Sequence, residues 1–167
     1  VSNPFGTNGD YITAPNISIL FSEMIAIWII LFWEKLKCPS SFNLIELGAG
    51  NGEMIKIIIE SFKNFPSILN YCNFIIYEKS PLLIKTQKKK LANNKIQWVS
   101  KFNKIKKYPS IFIANEFFDA LPIKQFKKRK NLWFEKYVNL KDLNKAYFFE
   151  KKIDIKKIEK KINYKIS

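Results

Sequence analysis

Residues 42–53 read FNLIELGAGNGE: a short, mostly apolar run, three alternating glycines, and the first residue of a helical pattern. Few folds accept such a junction. A run of this length that enters a glycine turn reads as a buried strand, and the helix after the turn has to pack back against it. Glycines there let the backbone turn tightly and approach a ligand closely. That ligand lies at the helix N-terminus, beyond the carboxyl ends of the strands. From Glu53 the pattern puts Ile55, Ile58, Ile59 and Phe62 on one helical face.

The unit repeats. FIIYE (74–78) reads as a second buried strand, and Ser80-Pro81 starts a helix that should reach about Leu91. IQWV is a third strand and IFIANEF (111–117) a fourth. The order β-α-β-α-β-β with short connections predicts an α/β fold with a largely parallel sheet. Upstream, residues 1–16 form an irregular arm, and Asn16 or Ser18 caps a helix running to about Leu36. Its unbroken apolar part, Met24 to Trp33, is shorter than the roughly 20 residues a membrane span needs. It reads as a buried helix, and no transmembrane segment or leader is expected. Downstream, IKQF, LWFEKYV and KAYFFEK read as short strands joined by basic turns. The tail carries Ile155, Ile158 and Ile162 at helical spacing. The expected organisation is one partial domain: an arm (1–16), an α/β core (17–122), and a β-hairpin with a basic helical tail (123–167).

The formal charge of +15 invites an anionic partner. Yet Arg129 is the one arginine, and Ile, Asn, Lys and Phe, all encoded by A/T-rich codons, are abundant. Coding bias accounts for that profile, and readers of nucleic-acid sequence lean on arginine. No specific nucleic-acid partner is expected. The chain has no histidine, which excludes histidine triads, bases and metal sites. Cys38 and Cys72 match no metal spacing and make no disulfide framework, so a reducing interior and no metal are expected.

The turn itself narrows the ligand. Gly48, Gly50 and Gly52 give G-x-G-x-G rather than the dinucleotide G-x-G-x-x-G, and no Lys-Ser/Thr follows as in a P-loop. Glu46 and Glu53 flank the turn; they would repel a pyrophosphate and suit a cationic amine or sulfonium. Glu78, closing the second strand, can accept both hydroxyls of a ribose. Together these point to S-adenosyl-L-methionine. The fourth strand brings Asn115, Glu116 and Asp119 to the same edge. Asn115 offers an amide, while Glu116 and Asp119 can orient a cationic acceptor or take its proton. Asp119 could equally cap the local backbone. Phe117 and Phe118 can exclude water or hold a flat group, with at least one expected to pack in the core.

PFGTNGDYITAPNIS (4–18), IELGAGNGE, YEKSP and ANEFFDALPIKQF occur in this order. In these strings, which cover Pro4 to about Val138, the chain resembles the MidA family of class I methyltransferases, whose mitochondrial members are arginine methyltransferases that assist complex I assembly. The resemblance implies a Rossmann-like sheet, here truncated after the fourth core strand, with extra short β-strands near the C-terminus. It implies S-adenosyl-L-methionine as donor, S-adenosyl-L-homocysteine as product, and no metal. Carried over by motif, Glu46, Gly48, Gly50, Gly52 and Glu78 line the donor site. Gly9, Asp10, Thr13 and Pro15 of the arm fold over the donor or shape the acceptor entrance, and Asn115, Glu116 and Asp119 face the reacting centre. The implied acceptor is a protein arginine, on a complex I subunit in the mitochondrial members. The implied compartment is the mitochondrial matrix or a bacterial cytoplasm, with a homodimer as one assembly. Ala49 and Asn51 stand where members usually carry Pro and Arg, Asn16 where they carry Glu, and Ser22 where they carry Gly. Members are also much longer, so the chain is expected to be part of a longer protein rather than a decayed frame. Two other readings stay open: a non-catalytic assembly protein that keeps the fold, and a nucleic-acid methyltransferase.

Overall fold

The structure is a computed structural model describing residues 14–142 and 145–166. The chain divides after Ala120 into two compact units.

The first unit is built around β1 (Phe42–Leu47), whose six residues are all buried. β1 takes a central place because both its faces and both its edges are covered, which a continuous apolar strand requires. Parallel partners flank it: β2 (Cys72–Tyr77) on one side and β4 (Ser110–Ile113) on the other, with β3 (Ile96–Val99) beyond β2. The order is thus β3-β2-β1-β4, and the chain switches sides at β1. Asn43, buried in β1, donates to the Lys106 carbonyl at 2.8 Å and to Ser110 Oγ at 3.1 Å, tying down the start of β4.

Among the described residues five α-helices accompany the sheet: α1 (Ala14–Ile17), α2 (Ile19–Lys35), α3 (Glu53–Phe62), α4 (Pro66–Tyr71) and α5 (Pro81–Lys90). Ser80 caps α5 by accepting from the Leu83 N–H, and Pro81 fills its first turn, where no N–H is needed. α3 places Ile55, Ile58, Ile59 and Phe62 in the main core with Ala26, Ile29 and Trp33 of α2 and with Phe42, Leu44, Phe74 and Ile76 of the sheet. A smaller cluster of Ile45, Leu47, Ile75 and Val99 lies apart from it, with Tyr77 and Phe117 packed on it.

Three expectations need correction here. α2 is not a buried helix: Ser22, Ala26, Ile29, Ile30 and Trp33 are inside, but Ile19, Leu20, Met24, Ile27, Trp28 and Leu31 are exposed. A helix apolar all round buries only the stripe that its neighbours cover. Among the described residues no helix is long and apolar enough to cross a membrane. The fourth strand stops at Ile113, so Asn115–Phe118 follow it in irregular backbone. Glu78 sits one residue past β2 rather than within it. The short helix α4 was not anticipated; its six residues are too few to show a period.

The second unit is an antiparallel sheet of β5 (Gln125–Arg129), β6 (Leu132–Asp142) and β7 (Lys145–Ile153), in that order. It is followed by α6 (Ile155–Ile162), capped by Asp154. Two of the three strands, β6 and β7, are longer than their apolar segments suggested. Lysines interleave with aromatics along them, and three cation–π pairs form: Lys128 with Trp133, Arg129 with Phe134, and Lys136 with Phe148. That interleaving hid the full strand lengths. Glu135, buried in this unit, accepts from Lys124 and from Tyr137 Oη.

Candidate functional site

The switch of direction at β1 leaves a crevice at the carboxyl end of the first unit's sheet, where open α/β sheets bind ligands. A cavity of about 430 Å³ opens there. It gathers residues from four places: Glu46 at the end of β1, Gly48–Asn51 in the turn, Glu78 after β2, and Asn115–Phe117 with Asp119 after β4. Pro15 and Asn16 border it from the start of the described chain. Of the residues singled out from sequence, Gly52 does not line it; it sits buried at the N-cap of α3. Gly9, Asp10 and Thr13 lie outside the described residues.

The turn has the left-handed backbone that only glycine enters without strain, with φ of +66° at Gly48 and +53° at Gly50. At Gly48 the lack of a side chain matters twice. A Cβ there would stand 2.5 Å from Cδ2 of Phe117, so the ring packs where any other residue's side chain would begin. Phe117 is in turn edge-on to Tyr77 and to Phe118. The expectation that one of the two phenylalanines packs inward fits Phe117; Phe118 is exposed.

Glu46 is the most constrained acid. It is 3% exposed, and among the described residues its Oε2 has no hydrogen-bond partner. Burial pushes its carboxyl up to about 8, with the backbone of Ile55 acting in the opposite direction. Glu78 is held differently. Its Oε1 accepts from the N–H groups of Lys79 at 2.8 Å and Ser80 at 2.9 Å, which fixes the side chain at the mouth of the strand. Its Oε2 accepts from Gln87 Nε2 at 3.4 Å.

Gln87 was missed by sequence reasoning. It is fully buried on α5, and it also donates to the Gly50 carbonyl at 2.9 Å and accepts from Trp98 Nε1 at 3.0 Å. One amide thus couples the glycine turn, Glu78 and β3. In the sequence it stands in a lysine-rich helix with no apolar pattern around it, so it gave no signal.

Asn51 and Asn16, two of the positions that depart from the family pattern, prove to be partners. Asn51 Nδ2 donates to Asn16 Oδ1 at 2.8 Å, while Asn51 Oδ1 accepts from the Glu53 N–H at 3.1 Å and so ties the turn to the first residue of α3. A neutral amide bond thus joins the start of the described chain to the glycine turn. Glu53, at its edge, is paired with Lys90 of α5.

After β4, Asn115 is half-buried, and Glu116 is exposed with φ of +48°, a conformation that a non-glycine residue adopts uncommonly. Asp119 accepts from the Ala120 N–H at 3.2 Å, so it caps its own backbone while also lining the cavity. Five carboxylates border this space (Glu46, Glu53, Glu78, Glu116 and Asp119), and no lysine or arginine does among the described residues. In a chain with 29 basic and 14 acidic residues, that concentration marks a site for a cationic ligand. No cluster of residues able to hold a metal occurs among the described residues.

The family model described as S-adenosyl-L-methionine-dependent methyltransferase matches residues 24–165. Among curated proteins, the chain is 30% identical to the mitochondrial protein arginine methyltransferase NDUFAF7 of Xenopus tropicalis, over 81% of this chain and 37% of that one. It is 30% identical to the Homo sapiens protein of the same name and 33% identical to its Caenorhabditis elegans homologue, each over 81% of this chain and 36% of the relative. The chain therefore spans little more than a third of the length of these relatives. Among solved structures, it resembles a Burkholderia thailandensis protein bound to S-adenosyl-homocysteine, with a TM-score of 0.67 at 19% identity, over 89% of this chain and 39% of that one. That likeness supports the α/β fold.

Proposed function

The chain belongs to this family of S-adenosyl-L-methionine-dependent methyltransferases, the MidA family, and on that premise we propose that it carries the donor side of a protein arginine methyltransferase. The observation that carries the reading is the acid-lined cavity at the switch point, in a chain otherwise rich in lysine. The residues present fit the donor. A buried carboxylate oxygen lacks a partner among the described residues, the turn brings backbone to the cavity wall, and a second carboxylate is fixed just past the neighbouring strand.

In this reading Glu46 and the turn at Gly48 and Gly50 hold the cationic amino-acid part of the donor, and Glu78 takes the ribose hydroxyls. Gly52 shapes the turn without touching the ligand. Pro15 borders the entrance, with Gly9, Asp10 and Thr13 of the arm proposed to close over it. When bound, S-adenosyl-L-methionine supplies a methyl group already activated by its sulfonium, so neither metal nor histidine is required. The chain's own task is alignment and charge. Asn115 orients the incoming nitrogen, Glu116 and Asp119 hold a guanidinium through charge-assisted hydrogen bonds, and one of the two accepts the proton that the nitrogen sheds. An arginine acceptor suits this carboxylate pair because its fork meets two acceptor oxygens at once. The relatives' names supply the protein substrate and the mitochondrial setting. A complex I subunit as acceptor, a homodimer, and the matrix or a bacterial cytoplasm as compartment complete the proposal.

The test is thermal unfolding with and without S-adenosyl-L-homocysteine, followed by methyl transfer to arginine-bearing protein. Ligand at about a hundred times its Kd adds roughly 2.7 kcal/mol to the folded state, worth several degrees in Tm. A shift together with methylarginine in the product supports the reading. A cooperative melt that the ligand leaves unmoved refutes the donor site and favours a non-catalytic assembly protein.

A further inference from the structure

Glu46 presents a problem that donor binding alone does not explain. Its side chain is buried at the end of β1, one carboxylate oxygen lacks a partner among the described residues, and it borders the cavity. Its one opposing influence is a hydrogen bond to the backbone of Ile55. The other titratable groups that line the cavity are Glu53 of α3, already paired with Lys90, Glu78 just past β2, and Glu116 and Asp119 after β4, all of them acids. An ionised carboxylate in such a place, without a cation, is costly.

We infer that Glu46 stands in the ligand-free cavity as a neutral carboxylic acid and releases its proton to solvent when a cationic centre of the ligand is seated, so that donor binding and proton release are one event. The inference rests on the reading of this cavity as the donor site. The bond that breaks is the carboxylic O–H; the proton leaves through the open cavity to buffer, and the ligand keeps its own charge throughout. Burial holds the carboxyl near 8 in the empty site, so at neutral pH most molecules carry the proton that binding must displace. Two cationic centres qualify. The α-ammonium is shared by donor and product, whereas the sulfonium belongs to the donor alone. If the sulfonium is the trigger, Glu46 takes a proton back once the methyl group has left. The product then loses an ionic contact that the donor had, which makes Glu46 the residue that tells the two apart.

The experiment is isothermal titration of the protein with S-adenosyl-L-methionine, and separately with S-adenosyl-L-homocysteine, in buffers of different ionisation enthalpy. It is run between pH 6 and 7, below the range where the ligand's α-amino group titrates. The expected result is release of close to one proton per donor bound, with affinity rising nearly tenfold from pH 6 to pH 7. Glu46→Gln should bind with no proton release and with affinity flat across the same interval. Release with both ligands assigns the α-ammonium as trigger, and release with the donor alone assigns the sulfonium. Binding by the wild-type protein without proton release from either ligand overturns the inference and leaves the donor site standing. Failure of both ligands to bind overturns the donor-site reading, and the inference with it. If Glu46→Gln does not fold, the buffer comparison on the wild-type protein decides alone.

Discussion

Replacing Gly48 with alanine tests the tightest piece of geometry in the molecule. The substitution carries two separable costs. A residue with a Cβ held at φ of +66° loses roughly 1–2 kcal/mol relative to its relaxed backbone. The new methyl would also lie 2.5 Å from Cδ2 and 3.1 Å from Cε2 of Phe117, well inside contact distance. Phe117 cannot swing away freely, because its ring is edge-on to Tyr77 at 6.5 Å and to Phe118 at 5.4 Å. Overpacking of this kind adds about 1–3 kcal/mol. The total, about 2–5 kcal/mol, is a large part of the stability of an ordinary domain. Urea unfolding of the wild type, Gly48→Ala, Phe117→Ala and the double variant separates the parts. In the double variant the steric cost should vanish and the backbone cost should persist, giving a coupling energy of about 1–3 kcal/mol. A loss below about 0.5 kcal/mol in the single variant, or a coupling energy near zero, would refute the argument that this turn needs glycine for both reasons.

Glu116→Gln should leave S-adenosyl-L-homocysteine binding intact and slow methyl transfer by about a hundredfold or more, the usual range for a general base; undiminished turnover in a radiolabel assay would remove its role. Glu78→Ala should weaken product binding at least tenfold in calorimetry, because the ribose loses its acceptor and two N–H groups lose theirs. Gln87→Leu should destabilise the fold by about 1–3 kcal/mol in urea, since the Gly50 carbonyl and the Trp98 N–H are left without this partner. The pH dependence of stability follows from Glu46. Its folded-state value, about 8, lies above its ordinary 4.5, so between these values the unfolded chain binds fewer protons and stability falls as pH rises. Unfolding midpoints of Glu46→Gln minus those of the wild type should therefore grow between pH 5 and 8; a constant difference would show that Glu46 does not titrate high in the folded state.

The first unit was legible because its signals are local and redundant. β1 has a continuous apolar run, a glycine stop and a helical period directly after it, and the observed strand and helix begin where those signals begin. Ser80-Pro81 likewise started a helix by capping chemistry alone. What stayed hidden was relational. Gln87 acts through three partners on three other segments, and nothing in its own neighbourhood announces them. The exposed stripe of α2 could not be foreseen, since an all-apolar helix does not say which of its faces has a neighbour. The end of β4 was misplaced because Ala114 and Phe117 continue the apolar texture, while pairing with β1 runs only from Asn43 to Glu46. The pair Asn16–Asn51 belongs to the same class: the two stand far apart in the sequence, and only the fold brings them into one hydrogen bond.

The carboxylates of the cavity differ in what surrounds them, and that difference assigns their work. Glu53 is already neutralised by Lys90, so it cannot add much attraction for a ligand. Glu78 is held by the backbone N–H groups of Lys79 and Ser80, which suits the proposed role of an acceptor for hydroxyls. Glu116 and Asp119 are exposed, where the proposed guanidinium would meet them first. Among the described residues Glu46 alone of these carboxylates is buried with an oxygen short of a partner, and its ionised form is the one that a ligand's charge would stabilise. An aromatic or aliphatic residue at Glu46 would pack at lower cost in the empty protein. The buried acid is a cost the fold carries at that position, and a positive charge delivered to the cavity is what offsets it.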